Sequence, residues 1–486
     1  MKKTLKIFPI LLAVLLLALS IVFGALLLRT KMLPGGLLAT AFAAVALADA
    51  LLIFLCARPK KKFRFALGVL LTVLFALGLC FASAALGKTV SAISGITRTS
   101  TEYSRLCVYV RAEDEAESIY DVADQSFGVL KTFQRENTDA AVSQLSAELG
   151  RELRIREYDG LTGLLDALFA GELRAVILNA ELLELTAEVS GYEDITERVK
   201  ILSEQRAEIE KPQETPVPAQ TAVPEKQKSE NCFSLYISGI DTRGDISMKS
   251  RSDVNIIVTV NTQTHQILLL STPRDYYVPL PISDGVPDKL THAGLYGVEV
   301  SKGALEMLYD TEIDYYFRVN FTGFQKIIDA IGGVDAELDG YSGVMHLNGE
   351  EALKHARDRS YGDRWRGKNQ MRIIQAAINK ILSPRILSSF DDLLDATEGS
   401  FETSMPYDLI ASLIREQLKS NPRWEILRYS VDGTGDSAVP FTFMMLDGKP
   451  MWLYVMHPDE TTVGIAKDLM NAMWEDRVIT IPEDYH

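Results

Sequence analysis

The stretch RDRSYGDRWRGKNQ, residues 357 to 370, sets Arg357, Arg359, Arg364, Arg366 and Lys368 against two aspartates, in a 486-residue chain with a net charge of -15. Cations at this density suit an anion with several oxygens, because each guanidinium offers a planar fork of donors matched to carboxylate or phosphate. Where the chain is extended, Arg357 and Arg359 project to one face and Asp358 to the other. The next segment, NQMRIIQAAINKIL, predicts a helix with an apolar stripe at Ile374, Ala377, Ile378 and Ile381, and Gln370 and Arg366 continue that stripe toward the helix start. An inward Arg and Gln there need a partner, and a helix N-terminus itself favours anions. Arg364 and Lys368 fall off this face and read as solvated charge.

Three other segments carry polar residues at the ends of predicted core strands, where open α/β sheets place ligands. Asp241 ends FSLYISGID; RSD puts Arg251 and Asp253 on one face of an extended segment; PRD puts Arg274 and Asp275 just past ILLL. Arg251, Arg274, Arg357, Arg359 and Arg366, with Lys289 as a further candidate, exceed what one carboxylate requires and fit a pyrophosphate. Asp241 and Asp253 beside them suggest Mg²⁺, or Mn²⁺ in its place, since such ions take one or two carboxylates plus phosphate oxygens. The alternative is a set of surface ion pairs with Asp245, Asp253, Asp275, Asp358 and Asp363, each worth little. Spacing alone leaves both open.

The elements that must position these residues are α/β in pattern. From Phe233, strands FSLYISGI, DVNIIVTV and HQILLLST precede a helix, the strand YYFRVN and a helix over residues 322–331; DVNIIVTV and HQILLLST form a hairpin around NTQT. Continuous apolar strands predict a mixed sheet covered on both faces by helices, in one domain over 232–486. Further along come the helix PYDLIASLIREQLK, the strands WEILRYSV and MWLYVM, and a closing helix after HPDETTVGIAKDL. Residues 101–205 alternate LCVYVRA, SFGVLK, ELRIREY and RAVILN with helical stretches, a smaller α/β unit. The segment REYDGLTGLLDALFAGELRAVILN looks like one lobe of a periplasmic solute-binding protein. A spacer or docking role for this unit is favoured over a ligand site. Residues 206–231 are Pro-rich and read as an extended linker.

The first hundred residues hold twelve Lys or Arg and one acid, so the remainder carries -26. Apolar runs Leu5–Leu28, Leu33–Ala57 and Phe65–Leu86 each approach or exceed the ~20 residues that cross a bilayer core, so residues 1–95 predict three membrane helices. Lys2, Lys3 and Lys6, and the cluster Arg58 to Arg64, place the N-terminus and the second loop in the cytoplasm and everything after about residue 90 outside. Asp49 in the second span reads as bundle-facing or snorkelling. Cys107 and Cys232 are both exported, and whether they pair stays open. An acidic body argues against nucleic acid as a partner. The chain has no GxSxG, Walker loop or Cys/His pair, which disfavours a covalent nucleophile.

The ordered segments LYISGIDTRG, RSD, LLLSTPRD, DKLTHAGLYG, YYFRVNFTGF, IGGVDAEL, LNGEEALKHARDR and GDRWRGKNQ closely resemble the LytR-CpsA-Psr family of cell-wall glycopolymer transferases. HPDETTVGIAKDLM looks like that family's C-terminal helix. The resemblance implies a membrane-anchored domain that binds a polyprenyl pyrophosphate carrying a sugar polymer and transfers the phospho-glycopolymer to a peptidoglycan hydroxyl. By motif, Asp241 and Asp253 take the positions of magnesium carboxylates, and Arg251, Arg274, Arg357, Arg359, Arg366 and Gln370 those contacting the pyrophosphate. Asn369 departs from the family, many of whose members carry Arg there. The implied phosphoryl transfer gives Asp275 or Asp253 the proton of the attacking hydroxyl and the arginines, Arg357 and Arg359 foremost, the developing charge. The lipid would lie between sheet and helices near Phe321, Phe324, Ile374 and Ile378. A hydrolase of lipid-linked pyrophosphates and a non-enzymatic envelope sensor are the rival readings.

Overall fold

The computed structural model of the chain describes residues 4–57, 62–96, 102–208, 228–242, 245–360, 362–383, 397, 399–447 and 450–482. Most of the Pro-rich stretch, 209–227, lies outside the described residues. Three long apolar helices come first: α1 (Thr4–Thr30), α2 (Gly35–Cys56) and α3 (Lys62–Ile96). Phe8–Thr30, Gly35–Cys56 and Phe63–Lys88 within them are long and apolar enough to cross a membrane. Leu16, Leu52 and Leu79 meet where the three helices touch, and Asp49 is buried against the bundle.

A five-stranded sheet follows, in the order β3-β2-β4-β1-β5. Its strands are β1 (Tyr103–Arg111), β2 (Ser126–Leu130), β3 (Arg154–Tyr158), β4 (Ala175–Asn179) and β5 (Val199–Glu208), with helices α4 (Arg135–Leu149), α5 (Leu161–Phe169), α6 (Ala180–Thr186) and α7 (Ile195–Arg198) between them. β2 is parallel to β3 and β4, as βαβ crossovers require, whereas β1 runs antiparallel to β4 and β5. β5 reaches Glu208, so ordered structure continues past the residue-206 start expected for the linker. β1 is buried along nearly its whole length because both faces are covered: Leu106, Val108 and Val110 pack with Leu145 of α4, Cys107 and Tyr109 with Leu164 and Leu168 of α5. Gly128 in β2 is a packing requirement, since a Cβ there would stand 2.4 Å from Leu173 and 2.5 Å from Leu164. Cys107 and Cys232 are both free thiols, which burial pushes up to about 11 and about 12.

The second sheet is mixed and six-stranded. Its strands are β6 (Cys232–Ile240), β7 (Ser252–Asn261), β8 (Gln266–Thr272), β11 (Tyr315–Asn320), β14 (Phe401–Thr403) and β15 (Glu425–Ser430), in the order β14-β11-β6-β7-β8-β15. β7 and β8 form the expected hairpin, with Asn261 opposite Gln266. Outside this sheet lie two-stranded pairs: β9 (Tyr277–Pro279) with β10 (Pro287–Lys289), β12 (Val334–Glu337) with β13 (Val344–Leu347), and β16 (Gly433–Ala438) with β17 (Leu453–Pro458). MWLYVM therefore forms a strand, but off the main sheet. The helices are α8 (Leu290–Ala293), α9 (Val298–Tyr309), α10 (Phe321–Ala330), α11 (Gly349–Arg357) and α12 (Asp363–Ile381), then Tyr407–Ser420, Phe441–Asp447 and Glu460–Trp474.

The two faces of this sheet are not equally filled. On one, Tyr236, Ile257, Leu268 and Leu270 pack against Ala304 and Leu305 of α9 and against Val463, Ala466 and Met470 of the last helix. On the other, α12 covers β7 and β8 through Met371, Ile374 and Ile378, but β6 stays partly open. Its burial alternates, with Phe233, Leu235, Ile237 and Gly239 half-buried on the open side. Full cover of both faces, as continuous apolar strands imply, holds for β8 and not for β6.

The two α/β units share a core. Phe443, Leu446, Met451 and Leu453 of the second pack into the cluster formed by Leu164, Leu168, Leu183 and Leu185 of the first. Polar contacts reinforce the seam: the Tyr103 amide donates to Ser247 O at 3.1 Å, and buried Arg318 meets Glu102 at 2.7 Å. Truncating the fully buried Phe443 to Ala is expected to cost about 3–5 kcal/mol, read as a loss of unfolding free energy in denaturant titration of the full chain.

Candidate active site

The open side of β6 is the floor of a cavity of about 1860 Å³, well above the roughly 300–1,000 Å³ that serves a compact small molecule. One end is apolar. Leu235, Ile237, Val258, Phe321, Phe324, Ile374 and Ile378 line it, along with Met405 and Leu413. All four positions expected to border a lipid groove, Phe321, Phe324, Ile374 and Ile378, are on its wall.

The other end is ionic. Asp241 follows β6 directly, and its amide donates to Arg251 O at 3.2 Å, so the backbone itself ties the first two polar segments together. Arg251 and Asp253 flank Ser252 at the head of β7, and Arg274 follows β8, the neighbouring strand. From the opposite side, α11 ends at Arg357, the chain turns through Arg359, and α12 begins after Gly362, whose φ of 92° a side chain would strain. Arg251, Arg274, Arg357, Arg359, Arg366, Gln370, Asp241 and Asp253 all border the same cavity. Four separate sequence segments thus meet around one space.

Within it the contacts are specific. Arg274 Nη1 holds both oxygens of Asp253, at 3.0 and 2.9 Å, and Thr291 Oγ1 donates to the same carboxylate at 3.0 Å. Arg359, half exposed, stands 3.8 Å from Asp253. The Arg357 guanidinium lies 4.3 Å over the Phe321 ring, a stacked cation at the junction of the ionic and apolar ends. Arg366 is buried. Gln370 borders the cavity, but its amide donates to Ala356 O at 2.9 Å, so it fixes the end of α11 just before Arg357. Burial pushes the Asp253 carboxyl up, but Arg274, Arg251 and Arg366 outweigh it and hold it below the usual range.

Two expected residues do not reach the cavity wall. Lys289 is 3% exposed and pairs with Asp275 at 2.8 Å and with Glu188 at 2.7 Å. Asp275, also buried, lies between Lys289 and the Arg274 Nε, 3.5 Å away. Both stand behind Arg274, so Lys289 does not contact a ligand in the cavity and Asp275 is not placed to take a proton there. The surface-pair alternative fits Arg364, which meets Asp432 at 2.9 Å in the open; Lys368 does not border the cavity.

Sequence reasoning missed Glu184 and Glu188. Both come from the first α/β unit, α6 and the residues after it, and both border the cavity. Arg251 is met by Asp241 at 3.2 Å, Glu184 at 3.5 Å and Glu188 at 3.6 Å. Upstream, buried Glu181 accepts from Ser250 Oγ at 2.8 Å. The signal was present as glutamates at 181, 184 and 188 of AELLELTAE, one face of a helical turn opposite its leucines. Nothing local says what that face meets.

Asp241 and Asp253 suit a hard divalent cation in donor type. No group of three or more His, Cys, Asp or Glu disposed to hold a metal occurs among the described residues. Each carboxylate here also holds a guanidinium, from which a metal would have to draw it.

The fold and this cavity define an α/β protein whose arginine-lined site opens into an apolar compartment. The LytR_cpsA_psr family profile matches residues 198–449, more than half of the chain, and the chain belongs to that family. It is 34% identical over 199 residues to a Bacillus cereus (strain AH820) protein named polyisoprenyl-teichoic acid–peptidoglycan teichoic acid transferase TagU, covering 38% of this chain and 65% of that one. To the Bacillus subtilis (strain 168) protein of that name it is 32% identical over 256 residues, covering 50% and 78%. The chain thus spans just under two thirds of the first relative's length. The crystal structure of B. subtilis TagV matches with a TM-score of 0.43 at 26% identity, over 52% of this chain and 100% of that one.

Burial pushes Glu181 up from 4.5 to about 7, with Glu184 adding to it. The folded chain therefore binds this proton more tightly than the unfolded chain, and the stability it contributes is complete below pH 4.5 and declines as pH rises through about 7. Glu181→Gln is expected to flatten the decline in unfolding midpoint between pH 5 and 8, measured by thermal melts across that range.

Proposed function

We propose that the protein transfers a glycopolymer from a polyprenyl-pyrophosphate carrier to a peptidoglycan hydroxyl, releasing polyprenyl phosphate. The observation that carries this reading is one cavity with five arginines at one end and an apolar floor along β6 at the other. A polyprenyl pyrophosphate has those two halves in that order. The named activity of the TagU relatives supports the same assignment.

Arg357, Arg359 and Arg366 grip the pyrophosphate from the α11–α12 side, Arg251 and Arg274 from the strand side. The prenyl chain runs from Phe321 over Leu235 and Ile237. The acceptor hydroxyl attacks the polymer-side phosphorus, the phosphorus–oxygen bond to the polyprenyl phosphate breaks, and the proton passes to solvent or to Asp253, one of the carboxylates that border the cavity. Because Asp253 is held by Arg274 and kept acidic, the rate rests on positioning and charge neutralisation more than on a strong base. Mg²⁺ or Mn²⁺ held by Asp241 and Asp253 would supply further neutralisation at the phosphates.

The body lies outside the cell membrane and the N-terminus in the cytoplasm. The α1–α2 turn supports this side for the body: Tyr407 Oη donates to Thr30 O at 2.8 Å, Lys31 pairs with Asp408 at 2.8 Å, and Met32 packs on Ile410 and Ala411. That turn and the second α/β unit must share a side, and the Lys/Arg-rich loops take the other.

In assays of the full chain with polyprenyl-pyrophosphate-linked glycopolymer, polymer attachment should require peptidoglycan, and Arg357→Ala/Arg359→Ala should lower it by at least about a hundredfold. Carrier cleavage that ignores the acceptor marks a hydrolase, neither cleavage nor attachment marks a sensor, and unchanged attachment in the double variant removes the two arginines from the site. Ile378→Asp, which puts a charge on the apolar wall, should weaken binding of geranylgeranyl pyrophosphate and leave inorganic pyrophosphate binding unchanged, measured by calorimetry.

A further inference from the structure

A line of alternating charges runs from the first α/β unit into the cavity. Glu188 Oε2 lies 2.7 Å from Lys289 Nζ, Lys289 Nζ 2.8 Å from Asp275 Oδ1, Asp275 Oδ2 3.5 Å from Arg274 Nε, and Arg274 Nη1 2.9 Å from Asp253 Oδ2. The three middle members, Lys289, Asp275 and Arg274, are buried or nearly so, at 3, 6 and 13% side-chain exposure. Charges that deep hold their place only while each has its counter-ion, and removing one partner leaves its neighbour uncompensated. Burial works against the Lys289 charge, yet Glu188 and Asp275 outweigh it and raise its pKa. Glu188 also reaches Arg251 at 3.6 Å on the rim. It therefore contacts one arm of the strand-side wall, Arg251, directly and reaches the other, Arg274, through Lys289 and Asp275, and it belongs to the other unit.

We propose that Glu188 is a positioning residue of the pyrophosphate site, fixing Arg251 directly and Arg274 through Lys289 and Asp275, so that the first α/β unit is part of the site and not a spacer. The shared core around Phe443 and the Glu181–Ser250 bond keep α6 in register for this contact. Without the Glu188 charge, Lys289 draws on Asp275 alone, and Asp275 orients Arg274 less firmly. The inference rests on the reading of the cavity as a lipid pyrophosphate site.

The test uses the full chain in detergent, with geranylgeranyl pyrophosphate and the uncharged geranylgeraniol as paired probes in calorimetry. Glu188→Gln is expected to weaken the pyrophosphate probe on the order of tenfold while leaving the alcohol unchanged, and Glu188→Asp should recover most of the loss. Asp159→Asn, at an exposed pair with Lys131 elsewhere on the same unit, is the control and should match the unsubstituted chain. Equal weakening of both probes would reduce Glu188 to a packing role. Unchanged or tighter pyrophosphate binding would show it to be idle or a competing charge, and each of these results overturns the proposal. If Glu188→Gln fails to fold, Glu188→Leu/Lys289→Met replaces the pair with apolar side chains and should fold yet bind the pyrophosphate probe weakly; wild-type affinity there also overturns it. The two readings separate. If Arg357→Ala/Arg359→Ala abolishes pyrophosphate binding and Glu188→Gln does not alter it, only the inference falls. If the unsubstituted chain shows no preference for the pyrophosphate over the alcohol, the site assignment falls and the inference with it.

Discussion

Five guanidiniums do not gather around one cavity unless something opposes their repulsion. Two like charges about 4 Å apart repel by about 4 kcal/mol near a protein surface. The carboxylates that offset this come from four places: Asp241 after β6, Asp253 within β7, Asp275 after β8, and Glu184 and Glu188 from the other unit. The result is a wall of cations held at fixed positions, with Arg357 and Arg359 left to reach into the cavity. Polar strand ends, the α11–α12 turn and the docking of the two units all serve that balance.

The second constraint is apolar. α12 covers β7 and β8 but not β6, and the uncovered half of the sheet is kept as a compartment by Phe321 and Phe324 of α10. A packed core would have been more stable, since burying each further side chain of this kind contributes about 1.5–3 kcal/mol. The open face of β6 is what leaves room for the apolar half of the proposed carrier. Leu413, on the helix that meets the α1–α2 turn, extends the cavity wall toward the membrane anchor.

Much of this was legible in the sequence. The β7–β8 hairpin, the strand-end aspartates and the stripe linking Arg366 and Gln370 to Ile374 follow from local periodicity, which needs no knowledge of neighbours. Four departures have nonlocal causes. Lys289 ends a short strand, but the counter-ions that pull it behind Arg274 lie about a hundred residues away and in a separate turn. Asp275, adjacent to Arg274 in sequence, is turned inward by that same lysine. β6 reads as continuously apolar, yet its open face depends on where α12 stops. Glu184 and Glu188 carry a visible acidic periodicity, but only the shared core around Phe443 and Leu446 decides what they face.

The central claim is that one cavity holds the pyrophosphate at its arginine end and the prenyl chain along the open face of β6. A cryo-EM or crystal structure of the full chain with a polyprenyl pyrophosphate tests it most directly. The account requires the head group between Arg357, Arg359 and Arg274, with the chain running past Phe321 over Leu235 and Ile237. Head-group density elsewhere, or a β6 face closed by protein side chains with the lipid outside it, would contradict the account.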